Sequence, residues 1–268
     1  MATALPERMS RGPAPPSAAS RGPASPGPVP RGSASPGPVP RRAVSGALAS
    51  DPVRIAVVDY GVGNLRSVER ALARAGAQVV ITPDPREVES CDGVVLPGVG
   101  AFAPAARLLR STGLGEAVAG AAHRGRPVLG VCLGYQLLFE ESEEGEGGIG
   151  LGLIPGPVVR IRPGSLKVPH MGWNRLRILR DDLLLEAVAE GSWCYFVHSF
   201  APAARPEHTV ATCEYGGELA AVCRSGTVAG TQFHPEKSGP TGLRIYANLV
   251  AACAAATADD PTGARRPG

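Results

Sequence analysis

From Val53 onward, short aliphatic and β-branched runs alternate with stretches of helical spacing, and this alternation leaves few architectures open. "VRIAVVDYG" reads as a buried strand closing on glycine, and "NLRSVERALARAG" puts Leu65, Val68 and Leu72 on one helical face before stopping at Gly76. "AQVVIT" is the next strand, "PREVESC" a short helix and "GVVLPGVG" another buried strand. One helical stretch is expected over "AARLLRSTGLGEAVAGAAHRG", followed by the strand "PVLGVC" and the helix "LGYQLLFEESEE". Strands and helices in this order predict an α/β fold, a doubly wound and mostly parallel sheet flanked by helices. Such sheets bind ligands at the carboxyl ends of their strands, where "LPGVG" and "GVC" both fall. After about residue 150 the texture changes to short strands and turns: "VPHMGWNRLRI", "WCYFVHSFA" and "TVATCEYGGELAAVCRSGTVAGTQFHPE". These predict a mixed or antiparallel extension, closed by the helix "TGLRIYANLVAACAAA".

The first 52 residues share none of this pattern. "RGPASPGPVP" is followed at once by "RGSASPGPVP", a ten-residue tandem repeat too rich in Pro, Gly, Ser and Ala to offset chain entropy by burial. Residues 1–52 are therefore expected to be a disordered extension, 53–255 the folded domain, and 256–268 a disordered tail. The prolines also disfavour the amphipathic helix that an organelle presequence needs.

Composition removes several classes of function. A net charge of +3 is too small to argue for nucleic acid or an anionic membrane. The cations are arginines except for Lys167 and Lys237. The six cysteines show no CxxC pair and no metal-ligand rhythm, so no metal site is expected. With no secretory h-region they read as reduced thiols of a cytoplasmic protein, and no apolar run reaches the length of a membrane span.

One cysteine stands out. Gly130-Val131-Cys132-Leu133-Gly134 has the frame of a nucleophile elbow, with sulfur in place of the serine hydroxyl. At a strand-to-helix joint the first helical amides favour a thiolate and can also meet an oxyanion. The other five cysteines read as small buried hydrophobes. A thiol nucleophile needs a base, and five histidines compete for that role. His123 sits near a helix end, His208 lies in the polar "ARPEHT" stretch and reads as solvated, and His170 and His198 could be pocket walls. His234 is different: "TQFHPEKS" places it at a strand end, with Glu236 able to reach back across Pro235 and orient the ring.

Taken together, "LPGVGAF", "GVCLGYQLLF", "GLGLIPG", "KVPHMGWN", "YFVHSF" and "GTQFHPEKS" resemble the class I (triad) glutamine amidotransferases over about residues 53–252. "DYGVGN" and "VPHMGWN" are similar in particular to the glutaminase subunits of imidazole glycerol phosphate synthase, in their free-standing form. The resemblance implies that Cys132 attacks the side-chain amide of glutamine, that His234 shuttles the proton and that Glu236 orients the ring. It also implies an oxyanion site from the Leu133 amide and the Gly98-Val99-Gly100 segment. Gln136 would hold the amino-acid end of the substrate, and the backbone of His198, Ser199 and Phe200 would complete the pocket. No cofactor is implied. The partner would be a separate (β/α)8 cyclase, with Asn64, Trp173 and Lys237 as candidates for the docking face. A glutaminase serving another synthase (anthranilate, guanylate or pyridoxal phosphate) would share the triad without "VPHMGWN". A non-amidotransferase protein with the same elbow would lack "FHPE".

Overall fold

A computed structural model describes residues 51–258. The expected N-terminal extension lies outside the described residues up to position 50, as does the tail from position 259.

Chain order gives β1 (Arg54–Val58), α1 (Leu65–Arg74), β2 (Gln78–Thr82), α2 (Pro85–Ser90), β3 (Gly93–Leu96), α3 (Phe102–Ser111), α4 (Leu114–His123), β4 (Val128–Val131) and α5 (Leu133–Leu137). Then follow β5 (Glu141–Ser142), β6 (Gly148–Ile149), β7 (Pro157–Arg160), β8 (His170–Arg175), β9 (Arg177–Ile178), β10 (Trp193–His198) and β11 (Phe200–Pro202). The chain closes with β12 (Thr209–Glu214), β13 (Glu218–Ser225), β14 (Val228–Thr231) and α6 (Gly239–Ala258), which runs past the expected domain end at 255.

The main sheet has eight strands among the described residues, in the order β2-β1-β3-β4-β14-β13-β12-β9. Pairing is parallel from β2 through β14 and antiparallel from β14 to β9, the mixed extension that the sequence predicts. Successive residues of β1 go to opposite faces, and both faces are covered. Ala56 and Val58 join Phe102, Leu109, Val118 and Tyr135 on the side of α3, α4 and α5. Ile55 and Val57 join Val68, Leu72, Ile245 and Leu249 on the side of α1 and α6. Burial on both sides is why these strands read as unbroken apolar runs. Beside the main sheet stand the antiparallel pair β10-β8 and a smaller sheet β11-β7-β5-β6.

Two expected helices differ. "AARLLRSTGLGEAVAGAAHRG" is two helices, not one, because the Thr112 hydroxyl closes α3 on the Leu108 carbonyl at 2.8 Å and Gly113 turns left-handed with φ 73°. The helix after Cys132 ends at Leu137, well short of the expected end at Glu144. The "GLGLIPG" segment takes the carbonyls that a longer helix would need: Leu151 N–H donates to Leu137 O, Leu153 N–H to Leu138 O and Gly152 N–H to Phe139 O, at 2.8, 2.8 and 3.1 Å. Glu141 and Ser142 then pair with β6 and β7 as a strand.

Candidate functional site

β4 and β14 lie side by side in register, Gly130 opposite Gly230 and Val131 opposite Thr231. The residues leaving them, Cys132 on one side and Gln232 to His234 on the other, therefore emerge together at the carboxyl edge of the sheet. The Cys132 N–H donates to the Thr231 carbonyl at 2.8 Å, which ties the elbow to its neighbour. The Cys132 backbone then turns to φ 55°, ψ −108°. A side-chain-bearing residue held there costs about 1–3 kcal/mol and is concentrated at functional sites. Its carbonyl accepts the Gln136 N–H at 3.1 Å and opens α5.

The glycines around the elbow have a steric cause. A Cβ at Gly134 would stand 1.8 Å from the Leu96 carbonyl oxygen, and one at Gly130 would stand 2.7 Å from the Tyr135 Cα. Gly98 is pressed against the same joint, where a Cβ would meet Tyr60 Oη at 2.5 Å and Gly134 N at 2.8 Å. Gly98 thus packs behind the elbow, whereas Val99 and Gly100 line the cavity in front of it.

His234 is held by its backbone. Its N–H donates to the Tyr195 carbonyl at 3.0 Å, and the Ser238 hydroxyl donates to its carbonyl at 2.7 Å. The Nδ1–H donates to Glu236 Oε1 at 2.8 Å, with both side chains buried. That assignment leaves Nε2 as the basic atom. It makes no hydrogen bond of regular geometry, and Cys132 is the side chain that acts on it. Burial alone would lower the imidazole's pKa, but the Cys132 sulfur and the Glu236 carboxylate outweigh it and raise the value to about 9. Burial pushes the Cys194, Cys213 and Cys253 thiols up to about 12 and Cys223 to about 11.

The cavity in front of Cys132 has a volume of about 300 Å³. Cys132, Leu133, Gln136, His198, Ser199, Phe200 and His234 all line it, together with Val99 and Gly100; Glu236 stands behind His234. Gln136 Nε2 donates to Phe200 O at 2.9 Å and to Gln232 Oε1 at 3.1 Å, so what Gln136 can offer a ligand is its carbonyl oxygen. Glu144, absent from the sequence reading, also lines the cavity, and its Oε2 accepts the Phe102 N–H at 2.7 Å. It lies in the acidic run "EESEEGEGG", which local spacing reads as the end of the preceding helix.

The other histidines separate clearly. His123 lies in the last turn of α4, as expected. His208 is half-buried rather than solvated, with Nδ1 3.1 Å from the Arg224 carbonyl. His170 is buried behind His198, and burial lowers both to about 4. Of the three docking candidates, Trp173 is 55% exposed and meets Tyr195 edge-on, and the Lys237 ammonium lies over the same Tyr195 ring, 5.6 Å from its centre. Asn64 begins α1 without using its side chain as a cap.

A thiol on a left-handed elbow beside an imidazole–carboxylate pair can attack an acyl carbon and move the proton this requires. The profile of the family described as glutamine amidotransferase class-I matches residues 56–253. The chain is 50% identical over 202 residues to the imidazole glycerol phosphate synthase subunit HisH of Methanosarcina mazei, covering 75% of this chain and 99% of that protein. It is 51% identical over 209 residues to the same-named protein of Halobacterium salinarum, covering 75% and 94%. Among solved structures, that of PurLQS from Thermotoga maritima superposes with a TM-score of 0.59 at 23% identity, covering 75% of this chain and 98% of that one. The glutaminase domain of Trypanosoma brucei CTPS gives 0.56 at 16% identity, covering 76% and 94%.

Proposed function

The chain belongs to the class-I glutamine amidotransferases as a glutaminase subunit of imidazole glycerol phosphate synthase, and from that premise we propose how its cavity works. Glutamine enters with its side-chain amide over Cys132. The thiol proton passes to His234 Nε2, whose raised pKa keeps it there at neutral pH, while Glu236 holds Nδ1–H and balances the imidazolium charge. Sulfur adds to the amide carbon, and the oxygen that becomes negative is met by the Leu133 N–H and by an N–H of the Val99–Gly100 segment. The carbon–nitrogen bond breaks as His234 returns its proton to the leaving nitrogen, giving ammonia and a thioester. Water, deprotonated by the same imidazole, then splits the thioester to glutamate and restores the thiol.

The amino-acid end of the substrate is held at the other side of the cavity. Glu144 gives one carboxylate oxygen to Phe102 N–H and keeps the second for an ammonium group. The Gln136 carbonyl oxygen and the backbone of residues 198–200 complete that end. The single observation behind this reading is the left-handed Cys132 beside the buried His234–Glu236 pair, opening on one cavity.

The partner we infer is the cyclase that consumes ammonia to form imidazole glycerol phosphate and an aminoimidazole carboxamide ribotide. Met171 and Trp173, 63% and 55% exposed, share the outward side of β8 next to Lys237, and support docking there. The six buried thiols suit the reducing cytoplasm. Among the described residues no helix is long and apolar enough to cross a membrane.

Replacing the sulfur tests the scheme. Cys132→Ser in the complex with the cyclase is expected to abolish glutamine-dependent synthesis and leave ammonia-dependent synthesis intact. Glutamine hydrolysis near the wild-type rate would give the nucleophile's role to another residue.

A further inference from the structure

Behind the cavity wall runs a line of polar groups, among which the side chains of Asn174, His170 and His198 have no part in the scheme above. Asn174 on β8 starts it. Its Oδ1 accepts the Arg175 N–H at 2.7 Å, and its Nδ2 donates to the Glu214 carbonyl at 2.8 Å. A carbonyl can only accept, so the amide orientation is determined. The same Nδ2 lies 3.2 Å from His170 Nε2, which must therefore be a lone pair. His170 thus carries its proton on Nδ1, 2.9 Å from His198 Nε2. His198 in turn carries its proton on Nδ1, 2.9 Å from the Phe200 carbonyl.

The direction continues past the strand. Phe200 O also accepts from Gln136 Nε2, so this amide cannot turn its oxygen inward, and its second N–H goes to Gln232 Oε1 at 3.1 Å. That leaves Gln232 with an N–H toward Cys132 Sγ, at 4.0 Å. The order is set link by link from Asn174 to His198, the Phe200 carbonyl accepts from both sides, and an N–H of Gln232 rather than its carbonyl oxygen faces the sulfur.

The two rings are also clamped. They lie directly opposite each other across the β8–β10 pair. His170 is stacked between Phe196 at 4.8 Å and Tyr215 at 4.0 Å, with interplanar angles of 22° and 23°. Burial disfavours a charge on either ring, so the one-way order persists at neutral pH.

We infer that His170 and His198 are positioning residues of the glutaminase: as neutral donors in series they hold in place the Phe200 carbonyl, the acceptor on which the Gln136 and Gln232 amides are anchored around Cys132. This rests on the glutaminase reading of the cavity. A thiolate facing an N–H is stabilised, and one facing a carbonyl oxygen is opposed. Gln136 would also present the wrong end of its amide to a substrate ammonium. Neither histidine needs to touch the reacting atoms.

Two measurements on the complex with the cyclase test it. Nitrogen-15 NMR of the imidazoles at neutral pH should find both rings protonated at Nδ1; an Nε2–H form at either ring overturns the order described. Kinetics then tests the consequence. His170→Phe keeps the stacking and removes both ring nitrogens, and should lower kcat/KM for glutamine by roughly tenfold, the scale of one buried hydrogen bond left unmade. His170→Asn places its Nδ2 where Nδ1 was, and should recover to within about threefold of wild type. Ammonia-dependent synthesis should be unchanged in both. A Phe variant equal to wild type, or an Asn variant as poor as the Phe variant, refutes the positioning role. A wild-type complex that does not hydrolyse glutamine would instead refute the glutaminase reading. Should the Phe variant not fold, the tautomers of the wild-type rings still decide.

Discussion

Cys132 is held in a conformation that its own side chain opposes, and this reverses an ordinary rule. At most positions glycine is less stable than alanine by about 0.5–1 kcal/mol, because it has more freedom to lose on folding. At φ 55° the alanine Cβ carries a steric cost that glycine escapes. Cys132→Gly should therefore melt above Cys132→Ala, both being inactive with glutamine. The opposite order in thermal unfolding would mean that the elbow is relaxed. His234 supplies a second expectation. Its folded value of about 9 lies above the ordinary 6.5, so the native state favours the protonated ring. That contribution to stability is complete below 6.5 and is lost as pH climbs through 9. Because the sulfur is the first of the groups that raise this value, Cys132→Ala should bring His234 down and flatten the decline. Proton NMR of the His234 ring, with melting curves taken on both sides of that window, reads both; parallel profiles for wild type and variant would clear the sulfur of this role.

At the scale of elements, the elbow depends on how closely α5 seats under β3. With Leu96 O only 1.8 Å from the place of a Gly134 Cβ, Gly134→Ala cannot be accommodated by turning a side chain. It should cost about 3 kcal/mol or more in chemical denaturation and remove glutamine hydrolysis with it. A loss below about 0.5 kcal/mol would show that α5 slides freely. This seating also shows what could be read beforehand. The parallel strands were legible because two buried faces make unbroken apolar runs, and the elbow because two glycines frame one cysteine. The end of α5 was not, since its carbonyls are taken by residues 151–154, a tertiary choice that local spacing does not record. The break at Gly113 was visible as "STGLG", but helix-forming residues on both sides masked it. Glu144 was missed for the same reason as α5, and the order along Asn174, His170 and His198 needs a register that only the folded pair supplies.

For the whole molecule, the composition of residues 1–50 makes a simple demand. A segment of repeated Pro, Gly, Ser and Ala has little apolar surface to contribute, so its deletion should leave melting, cyclase binding and turnover as they are. A truncated chain with weakened cyclase affinity or a clearly lower melting temperature would contradict this. The folded part has its own order of events. β14 is the last strand of the main sheet in the chain, yet it is the one that stands between β4 and β13. Gln232 lies 100 residues beyond Cys132, and the elbow's own N–H is bonded to Thr231. During synthesis the thiol therefore leaves the ribosome long before the strand that braces it and the histidine that stands beside it. Until residues 228–236 are made, the chain carries the cysteine without its imidazole–carboxylate pair. A nascent or clipped copy that stops short of β14 should therefore be unable to squander glutamine, because the segment that completes the sheet also brings the imidazole to the thiol.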